Sequence, residues 1–276
     1  MRHILFTFLT ISMFVSCVSE TEHQKTLDEN TALKSELEEI KFGAPNLLKD
    51  GKIFFENKDF KTAREKFNTL IERHSDLPEA IECKKYLAVI DEEEIWQSAN
   101  NSKDISNVST YIDKYSNGKY ISQAKSLKET LKIQNMQNAY ESAEQRNSSS
   151  AWKEFLSEYP NHNEASSIRK KIIKLEVDEI YGDSETGKMP SFEQYNYGNS
   201  SSSTVKITNN TDCDLVVRYS GTEIEMITIP EGSTRSVSLS SGNYRVAATA
   251  CGHNYAGSEN LSGDYASTFY ISTTRY

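Results

Sequence analysis

The residues best suited to chemistry in this sequence are two cysteines and a histidine near its C-terminal end. Cys251-Gly252-His253 places a thiol close to an imidazole, and Cys213 lies earlier in the same region. A cysteine nucleophile needs an activating base and a partner that orients it, while a zinc site needs ligands in paired short spacings. Neither accompanies these residues. A disulfide between Cys213 and Cys251 is therefore the favoured prediction, and free thiols, a metal site and catalysis are the alternatives.

Other catalytic signatures are missing from the sequence. It contains no phosphate-binding loop, no Gly-x-Ser-x-Gly and no His-Glu-x-x-His. We therefore predict that the chain is not an enzyme and that it holds no cofactor and no metal. A hydrolase or redox enzyme that uses Cys251 is the least favoured class of function.

The N-terminus predicts the compartment. Residues 1–3 are a short basic start, and residues 4–15 are uncharged but shorter than the roughly 20 residues that a membrane-spanning helix needs. This is the pattern of a signal peptide. Phe14-Val15-Ser16-Cys17 resembles the lipobox of bacterial lipoproteins, which implies that Cys17 carries lipid and becomes the mature N-terminus. The alternative is an ordinary secretory signal with a chance cysteine.

The lipoprotein resemblance also implies a location. In that family an aspartate directly after the cysteine favours the inner membrane, and Val18 stands there instead. The expectation is a protein anchored by lipid in the outer membrane, on its periplasmic face or at the cell surface. The net charge of the whole chain is −9, which argues against a nucleic-acid partner.

A short heptad pattern follows the predicted anchor. Leu33, Leu37 and Ile40 alternate four and three residues apart, and Asn30 lies three residues before Leu33. This spacing is typical of a coiled coil with one polar site in its seam. The favoured interpretation is a lead-in helix that packs on the next domain, and a short coiled coil is the alternative.

A small residue among aromatic ones marks the beginning of a helical region. Antiparallel helix pairs pack closely where a small residue lies at the crossing and aromatic side chains surround it. The segment of residues 47–80 resembles a tetratricopeptide repeat, whose signature positions are occupied by Gly51, Phe54, Phe60, Ala63 and Phe67.

Two later stretches of the chain repeat each other 44 residues apart. The earlier segment that contains Gly51 aligns with the first of these stretches at a shift of 41 residues, which matches Phe55 with Trp96 and Leu70 with Tyr111. These units resemble the tetratricopeptide-like repeats of outer-membrane assembly lipoproteins. The repeated residues are Trp96, Ala99, Tyr111, Tyr115 and Leu131, which recur as Tyr140, Ala143, Phe155, Tyr159 and Leu175.

The aromatic residues of these repeats have two possible roles. Trp96, Tyr111, Tyr140 and Trp152 either face a ligand or fill the core of the array, and their helical spacing favours the core.

The C-terminal part changes from a helical period to a period of two. Residues 183–203 are rich in serine and predict a flexible linker, although Phe192, Tyr195 and Tyr197 suggest that part of it docks on a neighbour. From Thr204 onward, alternating apolar residues and regular turn signals predict an antiparallel β-sandwich. Ile271 is expected in its last strand.

The predicted organisation is therefore a lipoprotein signal peptide (1–16), a tether with a short amphipathic helix (17–46), a helical repeat domain (47–182), a linker (183–203) and a β-sandwich (204–276). Repeat arrays bind protein segments, so the predicted function is a non-enzymatic interaction scaffold whose repeats bind another envelope protein or peptide. The alternative is a surface lipoprotein whose β domain binds a glycan, peptide or host ligand.

Overall fold

The computed structural model describes residues 19–197 and 201–269; Cys17, Ile271 and part of the predicted linker lie outside them. The predicted order, a helical N-terminal part followed by a β region, is confirmed. The chain divides into two compact units, Met1–Leu131 and Lys132–Tyr276, and the division lies within a long helix. The helices are α1 Glu20–Phe42, α2 Ala44–Glu56, α3 Phe60–Arg73, α4 Pro78–Ser102, α5 Ile105–Lys114, α6 Ile121–Arg146, α7 Ser149–Glu158 and α8 Ala165–Gly182.

The first helix, α1, departs from the favoured interpretation. All of its residues up to Lys41 are exposed, including Leu33, Leu37 and Ile40. The prediction that this seam packs on the next domain is therefore wrong for the described residues. Only the C-terminal end of α1 is held, where the Arg73 guanidinium lies 3.8 Å from the centre of the Phe42 ring.

Three short helices begin in the same way. Each follows a residue with left-handed backbone, at Lys58, Lys103 and Asn147, which have φ values of 62°, 49° and 41°. The next residue then caps the helix, because its side-chain oxygen accepts a hydrogen bond from a backbone N–H of the first turn. The capping residues are Asp59 for α3, Asp104 for α5 and Ser148 for α7.

The same helices also end alike, and this corrects one part of the repeat alignment. At His74, Tyr115 and Tyr159 the backbone N–H donates to the carbonyl four residues earlier. These three residues keep the predicted shifts of 41 and 44. At the start of α3, however, Lys58 precedes Lys103 by 45 residues, because α3 has 14 residues and α5 has 10. The match of Phe55 with Trp96 is therefore wrong by one helical turn.

The long helices α4 and α6 run through the boundaries between repeat units. Residues 91–95 and 132–139 contain neither glycine nor proline, so nothing in the sequence stops a helix there. Each long helix thus closes one repeat and opens the next.

The predicted packing residues of the first repeat lie together. Gly51 is buried in α2 against α3, and a Cβ atom placed on it would lie 2.4 Å from Cε1 of Phe67. Ala63 and Phe67 are fully buried, and the rings of Phe54 and Phe60 pack against the same cluster. Gly51 therefore lies where α2 and the Phe67 ring of α3 approach each other closely.

The repeated aromatic residues belong to the cores of the two units. Trp96, Ala99 and Tyr111 are buried in one cluster, with Tyr115 packed against it. In the other unit, the buried residues Ala143, Trp152 and Phe155 form a second cluster, against which Tyr140 and Tyr159 pack. These aromatic side chains thus pack within the two clusters.

The β region contains two mixed sheets, so the prediction of a purely antiparallel arrangement is wrong. The strands are β1 Gly187–Lys188, β2 Glu193–Asn196, β3 Ser202–Asn209, β4 Leu215–Gly221, β5 Ile224–Ile229, β6 Thr234–Ser240, β7 Gly242–Ala250, β8 His253–Leu261 and β9 Asp264–Phe269. One sheet has the order β1-β8-β7-β4-β5, with β1 parallel to β8, and the other sheet has the order β2-β9-β3-β6, with β3 parallel to β9. Alternating burial fixes the face of each side chain but not the direction of the neighbouring strand.

The segment predicted as a linker contributes to this core. Its residues form β1 and β2, and Met189 and Phe192 are buried in the cluster that side chains of both sheets share. The expected docking is thus found for Phe192, whereas Tyr195 and Tyr197 are exposed. The segment was predicted to be a linker because serine dominates its composition, although two of its apolar side chains, Met189 and Phe192, enter the core.

Candidate functional site

The cysteine and histidine that suggested chemistry lie in and beside a tight turn. Cys251 and Gly252 connect β7 to β8 with φ values of 51° and 77°, and two left-handed residues are what a short β-hairpin turn requires. The Sγ atoms of Cys213 and Cys251 lie at disulfide distance, with the two Cα atoms 5.4 Å apart. While that bond is intact, neither thiol can serve as a nucleophile or a metal ligand.

The described part of the chain offers little else for catalysis. Among its residues, no group of three or more His, Cys, Asp or Glu side chains is arranged to hold a metal ion. Cys83 is a free thiol buried in α4, and burial raises its pKa to about 11, which keeps it protonated and unreactive. Within the same residues, none of the helices has the length and apolarity needed to cross a membrane.

A groove on the surface of the first unit is the first candidate binding site. We call it the α2/α4 groove and define it by Phe55, Pro78, Ile81, Glu82, Lys85, Tyr86 and Val89. Proline lies in the first turn of both helices, where its fixed φ favours helix initiation and its missing N–H costs nothing.

Aromatic packing holds the α2/α4 groove in place. The rings of Phe55 and Tyr86 meet edge to face at 5.0 Å, and the Tyr86 ring also stacks on the buried Phe67 ring at 5.2 Å. Ile81 and Val89 stand beside these rings with 61% and 46% of their surface exposed. The groove therefore combines a rigid aromatic floor with apolar side chains that no described residue covers.

Charges of both signs surround this apolar surface. Lys52 and Glu82 form a salt bridge of 2.6 Å, and Lys85 lies one turn further along α4. On α2, the exposed Ile53 lines an adjoining depression together with Leu48. Such a surface fits apolar side chains of a protein segment with polar groups at its edges.

Sequence analysis missed the groove although α4 carries a signal for it. Cys83 and Ile90 form the core stripe of this helix, one heptad apart. Ile81 and Val89 form a second apolar stripe, offset from the first by one or two positions. Two apolar stripes on one helix indicate two buried faces, and only one of them is covered within the described residues.

A cavity of about 510 Å³ in the β region is the second candidate site. Its volume lies in the range of small-molecule sites, and its lining mixes apolar and polar side chains, as ligand pockets do. The lining includes Leu215, Tyr255 and Phe269 together with Lys188, Glu193 and Thr211. Lys188 and Glu193 belong to the segment that sequence analysis took for a linker.

Side-chain contacts join α8 to the sheet that contains β4, β7 and β8. Glu176 of α8 accepts a 2.6 Å hydrogen bond from Nε of Arg218 on β4 and also pairs with Lys153. Burial raises the pKa of Glu176, but the hydrogen bonds and charges of these two partners outweigh it, so the pKa is lowered overall. The carboxylate is thus held in its charged form.

Further contacts extend this junction along α8. Asp178 pairs with Arg245 of β7, and the Tyr181 hydroxyl donates to the backbone carbonyl of Gly257 on β8. Val177 and Ile180 pack against Ala247 in a small apolar cluster. The C-terminal half of α8 therefore belongs to the β region as much as to the helices.

One family comparison agrees with that boundary. Residues 170–272 match a family described as a domain of unknown function (DUF6759), and the match begins inside α8. It covers the β strands and the α8 residues that contact them. No curated protein matches the chain.

Proposed function

We propose that this chain is a non-enzymatic lipoprotein of the bacterial outer membrane, and that its helical part binds a segment of another envelope protein. The support for the location is the N-terminal sequence, which resembles a lipoprotein signal ending at Cys17. The observation that carries the binding function is the α2/α4 groove, with its exposed isoleucine and valine.

The finer fold assignments belong to this proposal. Repeated caps and helix ends support tetratricopeptide-like units. A single apolar cluster formed by side chains of both sheets supports a β-sandwich. Arrays of helix pairs present extended surfaces to partners, whereas small sandwiches bind ligands at edges and loops.

The physical case for the groove rests on the free energy of burial. Burying a Val or Ile side chain fully contributes about 1.5–3 kcal/mol, so Ile81 and Val89 are costly to leave exposed. Because the floor of the groove is already packed in the free chain, a partner would lose little free energy in ordering it.

The test is photocrosslinking in intact cells that carry the full chain. A photoreactive residue replaces Ile81 or Val89, and the same replacement at Ile133 of α6 serves as control, because Ile133 is 63% exposed and is not one of the residues that line the groove. The proposal predicts an adduct with one envelope protein from both groove positions and not from Ile133. Equal adducts from all three positions would refute specific binding at the groove.

The anchor has its own test. Cys17→Ser should abolish lipid labelling and release the chain from the membrane fraction. An unchanged mass and unchanged fractionation of this variant would remove the lipid anchor from the proposal, while leaving the groove untouched.

The cavity in the β region supports a second candidate function, the binding of a small ligand such as a glycan or short peptide. Screening such compounds against the full chain by thermal shift should give a ligand whose effect is lost in Lys188→Ala. The matched control is Lys206→Ala, which removes an exposed lysine of β3 that does not line the cavity. A ligand that both variants bind equally well would exclude the cavity as its site.

A further inference from the structure

The heptad seam of α1 has no partner within the described residues. Leu33, Leu37 and Ile40 are 62%, 48% and 58% exposed, and α1 has no buried residue along its length. Three exposed branched side chains on one stripe of a 23-residue helix are unusual for a helix that stays alone in water.

We propose that α1 pairs with α1 of a second copy of this chain in a parallel, in-register, two-stranded coiled coil. Placing Leu37 at position a of the heptad puts Asn30 at the preceding a position, with Leu33 and Ile40 at the d positions. Leu33 at d is what two-stranded parallel coils favour, whereas Leu37 at a with Ile40 at d is a pattern of higher oligomers, so the choice of two strands depends on Asn30. The occupant of the seam is thus the same seam of another molecule.

The charges that flank the seam are complementary in this arrangement. Glu29 and Glu36 occupy g positions, while Lys34 and Lys41 occupy the e positions five residues later. In a parallel pair each g residue faces the e residue of the following heptad on the other helix, so both glutamates meet lysines. In an antiparallel pair g faces g, which would oppose glutamate to glutamate.

An existing contact of Glu29 does not prevent this pairing. Glu29 lies 3.9 Å from Lys25 in its own helix, and both side chains are more than 60% exposed. An exposed pair of this kind contributes little stability and exchanges readily for another partner.

Asn30 supplies the register. An asparagine at an a position is buried only if the partner's asparagine lies opposite and the two amides hydrogen-bond to each other. A slip by one heptad would set one Asn30 against Leu37 and the other against His23, and the hydrogen bond between the two amides would be lost. The same residue therefore favours two strands and one alignment.

The seam is short, so the pair is weak in dilute solution. His23 and Thr26 occupy the a and d positions of the first heptad, which leaves the apolar contact to Leu33, Leu37 and Ile40. A parallel pair places both N-terminal ends together, and tethering both chains at one surface would raise their effective concentration. The pairing itself does not depend on the proposed function of the groove.

Cysteine crosslinking of the full chain in intact cells tests the pairing. Leu33→Cys and Ile40→Cys should each give a disulfide-linked dimer, because d positions face each other in a parallel coil. Ser35→Cys is the control, since it lies at the outer f position of the same helix. Crosslinking at both Leu33→Cys and Ile40→Cys excludes an antiparallel pair, and equal crosslinking at Ser35→Cys would overturn the coiled coil.

Charge reversal provides the second arm of the test, applied on top of Leu33→Cys. One variant carries Glu29→Lys with Glu36→Lys, and the other carries Lys34→Glu with Lys41→Glu. Each alone should lose the crosslinked dimer through like-charge repulsion, and co-expression of the two should restore it as a mixed dimer. Dimers that persist in either variant alone, or that fail to return on co-expression, would contradict the proposed orientation.

Discussion

At the scale of single residues, Glu176 joins α8 to the sheet through two cations. Because the pKa of its carboxyl is lowered in the folded chain, its contribution to stability is present above the ordinary value of 4.5 and is lost as the pH falls through the lower folded value. Glu176→Gln should therefore reduce stability at pH 7 by about 1.5–3 kcal/mol, the range for hydrogen bonds to charged groups.

Thermal unfolding at several pH values checks this prediction. The difference between the original chain and Glu176→Gln should shrink as the pH falls below the ordinary value of 4.5 and toward the lower folded pKa, below which both chains carry an uncharged group at this position. Glu185→Gln, at an exposed position after α8, should show no such dependence. A difference that stays constant down to pH 3 would mean that charge pairing is not what Glu176 contributes.

The buried hydroxyl of Tyr219 gives a second prediction at this scale. Tyr219 is fully buried, and its hydroxyl has no hydrogen-bond partner among the described residues. Since an unsatisfied buried hydroxyl costs free energy, Tyr219→Phe should leave the melting temperature unchanged or raise it. Tyr244→Phe should lower stability by about 0.5–1.5 kcal/mol, because the Tyr244 hydroxyl donates to the carbonyl of Ser240 at 2.7 Å. A larger loss in Tyr219→Phe than in Tyr244→Phe would contradict this account.

At the scale of elements, the crossing of α2 and α3 depends on the missing side chain at Gly51. An alanine in a helix is ordinarily up to about 1 kcal/mol more favourable than glycine, but a Cβ atom at Gly51 meets the buried Phe67 ring. Gly51→Ala should therefore destabilise the first unit, by about 1–3 kcal/mol if the ring cannot move. Gly182→Ala is the control, because nothing lies within 4 Å of a Cβ atom there. Chemical denaturation that finds Gly51→Ala as stable as Gly182→Ala would refute the close crossing.

The disulfide ties two elements of the β region, the turn before β4 and the β7–β8 hairpin. In the chain-entropy treatment, closing a loop of 38 residues stabilises the folded state by roughly 4 kcal/mol. Non-reducing peptide mapping should recover Cys213 and Cys251 in one linked peptide, and reductant should lower the unfolding temperature of the β region. Two alkylatable thiols in protein taken from its native compartment would show that the bond does not form there. The alternatives of a metal site and of free or catalytic thiols would then have to be tested.

Most of the helical region could be predicted from the sequence, and the one misaligned position has a physical cause. Helix ends at His74, Tyr115 and Tyr159 recur because the residues around them recur. The misaligned Phe55 shows the limit, since an extra turn in α3 changes the spacing without changing the apolar pattern. Two helices with the same apolar pattern can therefore be aligned one helical turn out of register.

At the scale of the whole molecule, long-range pairing was the part that sequence did not reveal. Nothing local in residues 187–196 says that Met189 and Phe192 enter a core formed by strands far along the chain. Nor does alternation reveal that β3 and β9 run parallel, because the direction of a neighbouring strand depends on the whole chain path. The α2/α4 groove was missed for a related reason, since exposure is a property of the assembled unit.

The central claim concerns this groove as the surface that recognises another protein, and affinity for the crosslinked partner tests it most directly. Full chains carrying Ile81→Asp, Val89→Asp or the control Ile133→Asp would be titrated with that partner, after circular dichroism shows equal helix content. Loss of one buried anchor should weaken binding at least tenfold, which corresponds to about 1.4 kcal/mol. Ile133→Asp should bind as the original chain does. Equal affinity of all three variants would contradict the assignment of the groove as the binding surface.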